Sequence, residues 1–210
     1  MINPKTGKNT AVVILAAGSS SRLGKPKQLL YYQLETLIKR VVKTAIEISD
    51  NKVFVVTGFL HHELISELKG LPVHFVQNSN WAEGMGSSIR TGISAILESE
   101  NANQTDAALF LLSDQPLINS SYLKILLSEF YLHKNSMIAI TGYSGTQGVP
   151  AVFDKSFFLN LQQLSGKGGA KEIFKNYQNQ LITVPFEDAK IDIDTEEDYT
   201  KLLKLTKNKH

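Results

Sequence analysis

Along the chain, short apolar runs alternate with segments whose apolar residues recur every three or four positions. Residues 11–16 are continuously apolar and rich in β-branched side chains, and Gly18 closes the run, the pattern of a strand buried on both faces. Residues 53–57, 73–76 and 107–112 read the same way, and the last, as the most hydrophobic, belongs at the centre of a sheet. Leu34, Leu37, Ile38, Val41, Val42, Ala45 and Ile48 keep helical spacing and predict a helix over 34–48. Helices are also expected over 63–68, 85–97 and 122–131, the last capped by Ser120 or Ser121. Further on, the pattern predicts strands at 137–141, 149–153 and 181–184, and helices at 157–164, 171–177 and 196–205. Residues 101–105 read as a polar loop, and the basic residues after Leu205 as a frayed end.

This alternation predicts an α/β fold, a three-layer α/β/α sandwich around a mostly parallel, mixed sheet. Such sheets bind ligands at the carboxyl ends of their strands, which singles out the loops after Ala16, Thr57, Val76 and Leu112. The 210 residues, 42% of them hydrophobic, suffice for one domain with a sizeable core. Lys and Arg number 22 against 20 Asp and Glu, a near-neutral balance that makes nucleic acid a poor partner and leaves small anions open. No apolar run is long enough to span a bilayer, so no membrane partner is expected, and the polar residues 1–10 do not make a secretory signal. Cysteine is absent, which removes disulfide scaffolds, iron–sulfur ligation and thiol chemistry and agrees with a cytoplasmic location.

The loop after the first strand runs Leu15-Ala16-Ala17-Gly18-Ser19-Ser20-Ser21-Arg22-Leu23-Gly24-Lys25-Pro26-Lys27. Small residues let the backbone approach a ligand closely, and their amides form a cradle for phosphate oxygens. Arg22, Lys25 and Lys27 set cations beside that cradle, the composition a polyphosphate site needs. Two common motifs do not fit. A Walker A loop has four residues between its glycines, followed by Lys and Ser or Thr, whereas five residues separate Gly18 from Gly24 and Pro26 follows Lys25. The dinucleotide fingerprint requires Gly where Ser20 stands. A second loop, beginning at Asn78, opens a helix through Gly84 and Gly86, which alone suits a plain helix start equally well. Asp114 ends the most buried strand, where a carboxylate either holds Mg²⁺ or shapes a turn. Near the C-terminus Asp192 and Asp194 share a face if the segment is extended, while Thr195 and Asp198 form a capping box for the last helix.

The run Leu15-Ala16-Ala17-Gly18-x-Ser20-x-Arg22-x-Gly24-x-x-Lys27-Gln28-Leu29-Leu30 resembles the signature of the MobA-like nucleotidyltransferases of the molybdenum-cofactor type, and within them the cytidylyltransferase branch. The likeness continues through Asn78, Trp81, Gly84 and Ser87-Ser88, through Asp114-Gln115-Pro116, and through Asp192-Ile193-Asp194-Thr195. It implies the nucleotide-diphospho-sugar transferase-like form of the fold, with a nucleotide-binding part over 11–116 and an acceptor-binding part over 117–200. It implies Mg²⁺-dependent transfer of a nucleoside monophosphate from a nucleoside triphosphate, with CTP favoured, to a small phosphorylated acceptor, with molybdopterin favoured, and release of pyrophosphate.

By the same likeness Ala16, Ala17, Gly18 and Ser19 bind the nucleotide phosphates, and Gly84, Ser87 and Ser88 face base and ribose. Arg22, Lys27 and Asp114 act in catalysis, and Asp114 and Asp194 hold the metal. Asn78 and Trp81 shape their loop, Trp81 by packing rather than stacking. Asp192 either backs the metal ligands or orients a lysine. The segment Gly148-Val149-Pro150-Ala151-Val152-Phe153 resembles the family's wall beside the acceptor, and Lys167 and Lys171 either meet an acceptor phosphate or flank a helix start. A molybdoenzyme or its chaperone is the protein partner that the resemblance implies. Within residues 31–37 the family often carries a Gly that this chain lacks, which leaves the shape of that turn open. His61 and His62 read as surface residues, since no third ligand is spaced for zinc. Transfer to another acceptor such as a sugar phosphate, and a non-catalytic nucleotide-binding module, stand as alternatives; Lys27, Asp114 and Asp194 argue against the second.

Overall fold

A computed structural model describes residues 9–49, 52–133, 135–166 and 169–207, without the side chains of 171, 172, 206 and 207. In chain order the elements are β1 (Thr10–Leu15), a small hairpin of β2 (Tyr31–Tyr32) and β3 (Glu35–Thr36), α1 (Leu37–Ile46), β4 (Val53–Thr57), α2 (His61–Glu67), β5 (His74–Gln77), α3 (Met85–Glu98) and β6 (Ala107–Leu112). Then follow α4 (Ser120–Leu132), β7 (Ile138–Tyr143), β8 (Thr146–Asp154), α5 (Phe158–Gln162), α6 (Lys171–Asn176), β9 (Leu181–Pro185) and α7 (Glu196–Lys207).

Seven strands form one sheet in the order β5-β4-β1-β6-β8-β7-β9, which puts β6 at its centre. The β1–β4, β1–β6, β4–β5 and β7–β9 pairs are parallel, and only β8 runs against its neighbours. Strand residues alternate between two apolar layers. Val12 and Ile14 pack with Val41 of α1, Leu64 of α2 and Leu126 of α4. Ala11 and Val13 pack with Ile93 of α3, Leu161 of α5 and Phe174 of α6. Coverage of both faces explains why β1, β4 and β6 read as unbroken apolar runs. Parallel pairing brings the ends of β1, β4, β5, β6, β7 and β9 to a common carboxyl edge, with the site loops upon it.

Four local expectations are corrected. The helix expected over 34–48 starts only at Leu37, because the chain first turns through Gln33 and Leu34, at φ 50° and 71°. Thr36 caps it, its hydroxyl accepting from the Lys39 amide at 3.3 Å, and Leu34 stands 96% exposed at the hairpin tip. The cap of α4 is Asn119, extended at φ −130°, whose side chain accepts from the Tyr122 amide at 2.9 Å. Ser120 and Ser121 are already inside the first turn. The strand expected over 149–153 extends back to Thr146 and pairs with β7 as a hairpin. Helix α7 continues past Leu205 to Lys207, and 208–210 lie outside the described residues. Among the described residues no helix is long and apolar enough to cross a membrane.

Candidate active site

Beyond β1 the chain turns over the carboxyl edge of the sheet. Ala16 is buried, and its amide donates to the Val56 carbonyl oxygen at 2.9 Å, so it anchors the loop to β4 and has no amide to offer a ligand. The amides of Ala17, Gly18 and Ser19 have no partner among the described residues. A Cβ at Gly18 would meet nothing within 4 Å, so the backbone is open there. Gln28, itself buried, holds the curve of the loop. Its Nε2 donates to the Gly18 carbonyl oxygen at 2.8 Å and its Oε1 accepts from Ser20 Oγ at 3.1 Å. Ser20 Oγ also accepts from the Lys27 amide at 3.2 Å. Sequence reasoning misses Gln28, whose one signal is a polar side chain between Lys27 and two leucines.

Three distant segments meet at the mouth of this loop. Lys27 Nζ lies 2.5 Å from Asp114 Oδ2, in the turn that follows β6, and 2.7 Å from Asp194 Oδ1, just before α7. Arg22 Nη1 reaches Asp194 Oδ2 at 2.8 Å. The Ile193 amide donates to the Asp114 carbonyl oxygen at 3.1 Å and ties the two acidic segments together. The expected capping box is present, with Asp198 Oδ2 accepting from the Thr195 amide at 2.9 Å and Thr195 Oγ1 from the Asp198 amide at 3.2 Å. It fixes the chain directly after Asp194. Lys25 is engaged by α7, with Nζ 2.8 Å from Glu196 Oε2 and 5.6 Å from the centroid of the Tyr199 ring. Gln115, a second residue that sequence reasoning missed, donates to the Ala189 and Val149 carbonyl oxygens at 2.9 and 3.2 Å and locks the turn after Asp114.

The charges are strongly coupled. Burial works against the ammonium of Lys27, but Asp114 and Asp194 outweigh it and hold its pKa above the ordinary lysine value. The hydrogen bond from Lys27, reinforced by its charge and that of Arg22, holds Asp194 below the usual carboxylate range. Asp192 is pushed the other way, by partial burial and by the neighbouring charges of Asp114 and Asp194. Three carboxylates therefore face two cations, and Asp114 Oδ1 is buried without a partner among the described residues. Surplus negative charge, an orphaned carboxylate oxygen and an all-oxygen donor set fit a hard divalent cation. Among the described residues no group of three or more His, Asp or Glu side chains forms a ready metal cage. A cation here would rest on Asp114 and Asp194 and take its other ligands from water and phosphate, as Mg²⁺ commonly does.

The second loop is held from within. The Asn78 side-chain amide donates to Ser87 Oγ at 2.8 Å and to Ser88 Oγ at 3.0 Å, and all three residues are buried. The hydroxyls of Ser87 and Ser88 thus shape the start of α3 and do not project into open space. Gly84, at φ 115°, makes the turn into the helix. Gly86 is in tight contact, since a Cβ there would come 1.9 Å from the Ser165 carbonyl oxygen. Trp81 packs on Gly58 and meets Phe59 edge-on, the packing role expected of it. Beside β7, β8 and β9 an open depression of about 550 Å³ is lined by Gln147, Phe174, Lys175, Thr183 and Glu187 among others. Lys167 and the side chain of Lys171 lie outside the described residues.

The mostly parallel seven-stranded sheet, which carries a cation-flanked loop of open amides and two aspartates at its carboxyl edge, has the nucleotide-diphospho-sugar transferase fold. The chain belongs to the MobA-like NTP transferase domain family, whose profile matches residues 12–181. It is 30% identical to nicotine blue oxidoreductase of Paenarthrobacter nicotinovorans, over 91% of this chain and 95% of that one. It is 21% identical to molybdenum cofactor cytidylyltransferase of Escherichia coli (strain K12), over 89% of this chain and 92% of that one. Rv0371c from Mycobacterium tuberculosis H37Rv shares the fold at a TM-score of 0.79 and 22% identity, with 95% of this chain and 100% of that one covered. A manganese complex of Rv0371c does so at 0.69 and 22% identity, with 94% and 99% covered.

Proposed function

We propose that the protein transfers cytidine monophosphate from CTP to molybdopterin in the cytoplasm, releasing pyrophosphate, with Mg²⁺ held by Asp114 and Asp194. The observation that carries this reading is the convergence of Lys27, Asp114 and Asp194 beside the open amides of residues 17–19. The likeness to the cytidylyltransferase of Escherichia coli supports the choice of donor and acceptor. A molybdoenzyme or its chaperone would then receive the product.

An oxygen of the acceptor phosphate attacks the α-phosphorus. A new P–O bond forms as the bond to the bridging oxygen of the β-phosphate breaks, and the electron pair leaves with pyrophosphate. A phosphate monoester is already largely ionised near pH 7, so no general base is needed. The amides of Ala17, Gly18 and Ser19 grip phosphate oxygens. Lys27 and Arg22 exchange their carboxylate partners for phosphate oxygens, so charge growing on the leaving group meets two cations. A divalent cation on Asp114 and Asp194 supplies further charge neutralisation when bound. The depression flanked by Gln147 and Lys175 offers room for the body of the acceptor.

The test is pyrophosphate release and product mass with each of CTP, GTP, UTP and ATP, against molybdopterin and a panel of sugar phosphates. Release confined to CTP with molybdopterin is the expected result, release with a sugar phosphate moves the acceptor, and no release with any pair rejects transfer. One observation favours a second reading, an oxidoreductase: the relative of that name aligns over nearly the whole chain. Ser20 in place of the fingerprint Gly weighs against a dinucleotide cofactor. Binding of nicotinamide dinucleotides with no binding of CTP would favour it.

A further inference from the structure

The phosphate-binding loop is cationic at one end and apolar at the other. Arg22 and Lys27 lie at its far end, whereas its start is bound to an aromatic residue: the Phe59 amide donates to the Ala17 carbonyl oxygen at 3.1 Å. Gly58 sits against the same loop, since a Cβ there would come 2.7 Å from both the Ala17 carbonyl oxygen and Trp81 Cβ. The Phe59 ring meets the Trp81 indole edge-on, with centroids 5.4 Å apart, and Met85 stands at the start of α3. Phe59 is nonetheless 55% exposed and Met85 47%. Phe59 is thus tied to the loop through its backbone and to Trp81 through its ring, yet more than half of it is open to water. It therefore contributes little to the core and offers an exposed aromatic contact beside the loop. Its occupant has to match the polarity of the loop, planar and apolar at one end and polyanionic at the other.

We infer that the face of Phe59, steadied by Trp81, is the surface on which the base of the bound nucleoside triphosphate stacks. This rests on the nucleotide reading above and deepens it, by assigning Phe59 as a positioning residue for the base. Stacking accepts any base, so Phe59 sets affinity and orientation and leaves the choice of base to hydrogen-bonding groups.

Wild-type protein, Phe59→Ala, Phe59→Leu and Phe59→Tyr are titrated by calorimetry with CTP and with inorganic tripolyphosphate, both with Mg²⁺, and their KM and kcat are measured. Loss of one base–aromatic stack weakens CTP binding about ten-fold or more in Phe59→Ala. KM rises in parallel, kcat holds, tripolyphosphate binding is unchanged, Phe59→Tyr restores affinity and Phe59→Leu does not. Trp81, the only tryptophan, changes its fluorescence on addition of CTP and not of tripolyphosphate. CTP affinity of Phe59→Ala within about two-fold of wild type, or an equal loss for tripolyphosphate, overturns the inference alone. A wild-type protein that binds neither ligand overturns the nucleotide reading and this inference with it.

Discussion

Lys27→Ala tests the core of the site, because Lys27, alone among the described residues, forms ion pairs with both Asp114 and Asp194. The side chains of Lys27 and Asp114 are 17% and 12% exposed, a nearly buried pair, whereas Asp194 at 34% is open to water. Breaking a fully buried pair by removing one partner costs about 3–5 kcal/mol, and the solvated Asp194 side reduces that to roughly 2–3 kcal/mol at pH 7. For a chain of this length the loss corresponds to a Tm lower by roughly 5–10 °C, read by thermal unfolding in EDTA. Excess Mg²⁺ then raises the Tm of the variant more than that of the wild type, since the cation no longer competes with an ammonium for the same oxygens. The pH dependence has a definite sign. Asp194 has a lowered folded pKa, so its contribution is present above its unfolded value of 3.8 and is lost as pH falls through the folded value. The variant lacks the Lys27 share of that contribution and keeps the Arg22 share, so the gap between the proteins persists at mildly acidic pH and narrows only below 3.8. Turnover falls by about 10²–10³, the usual cost of losing one preorganised charge at a transition state, and Lys27→Arg retains part of it. A variant with wild-type Tm in EDTA and no greater response to Mg²⁺ would falsify the convergence of the two aspartates on Lys27.

On the proposed metal site, Asp114→Asn removes the charge of one of the two carboxylates and raises the Mg²⁺ concentration for half-maximal activity by about ten-fold or more; an unchanged Mg²⁺ titration rejects the ligand assignment. Gly86→Ala drives a methyl group to 1.9 Å from the Ser165 carbonyl oxygen, so stability falls by about 1–3 kcal/mol in denaturant titration, and a neutral result means the 165–166 segment is free to move aside. Leu34→Gly relieves a left-handed residue that buries nothing, so it raises stability by up to about 1 kcal/mol with turnover unchanged; a loss of stability shows that Leu34 has a partner in the folded state.

The site was legible where chemistry is concentrated in short runs. The small residues and cations of 16–27, the acid after β6 and the acid before α7 each stood out locally, and the structure brings Lys27, Asp114 and Asp194 into contact. Less legible were residues whose role is to hold the site together. Gln28 and Gln115 bind backbone carbonyls, and such contacts leave no pattern in sequence. Ser87 and Ser88 show the converse, since two adjacent serines at a helix start look available to a ligand until Asn78 is seen to use both. The hairpin at residues 31–36 was obscured because Leu34 continues the helical spacing of α1 by coincidence while its backbone lies in a left-handed turn.

The order of apolar and polar residues along the chain determined the strands, most of the helices and the edge of the sheet that carries the candidate site. These follow from local periodicity and from the burial of runs that water excludes. Only the tertiary structure decided which charges meet. Lys27 and Asp194 are 167 residues apart, and nothing near either one names the other. Their contact depends on the order β5-β4-β1-β6-β8-β7-β9, which carries the chain across the sheet and back to the carboxyl end of β6. Burying two apolar faces at once selects that order, and the free energy for doing so comes from the whole core.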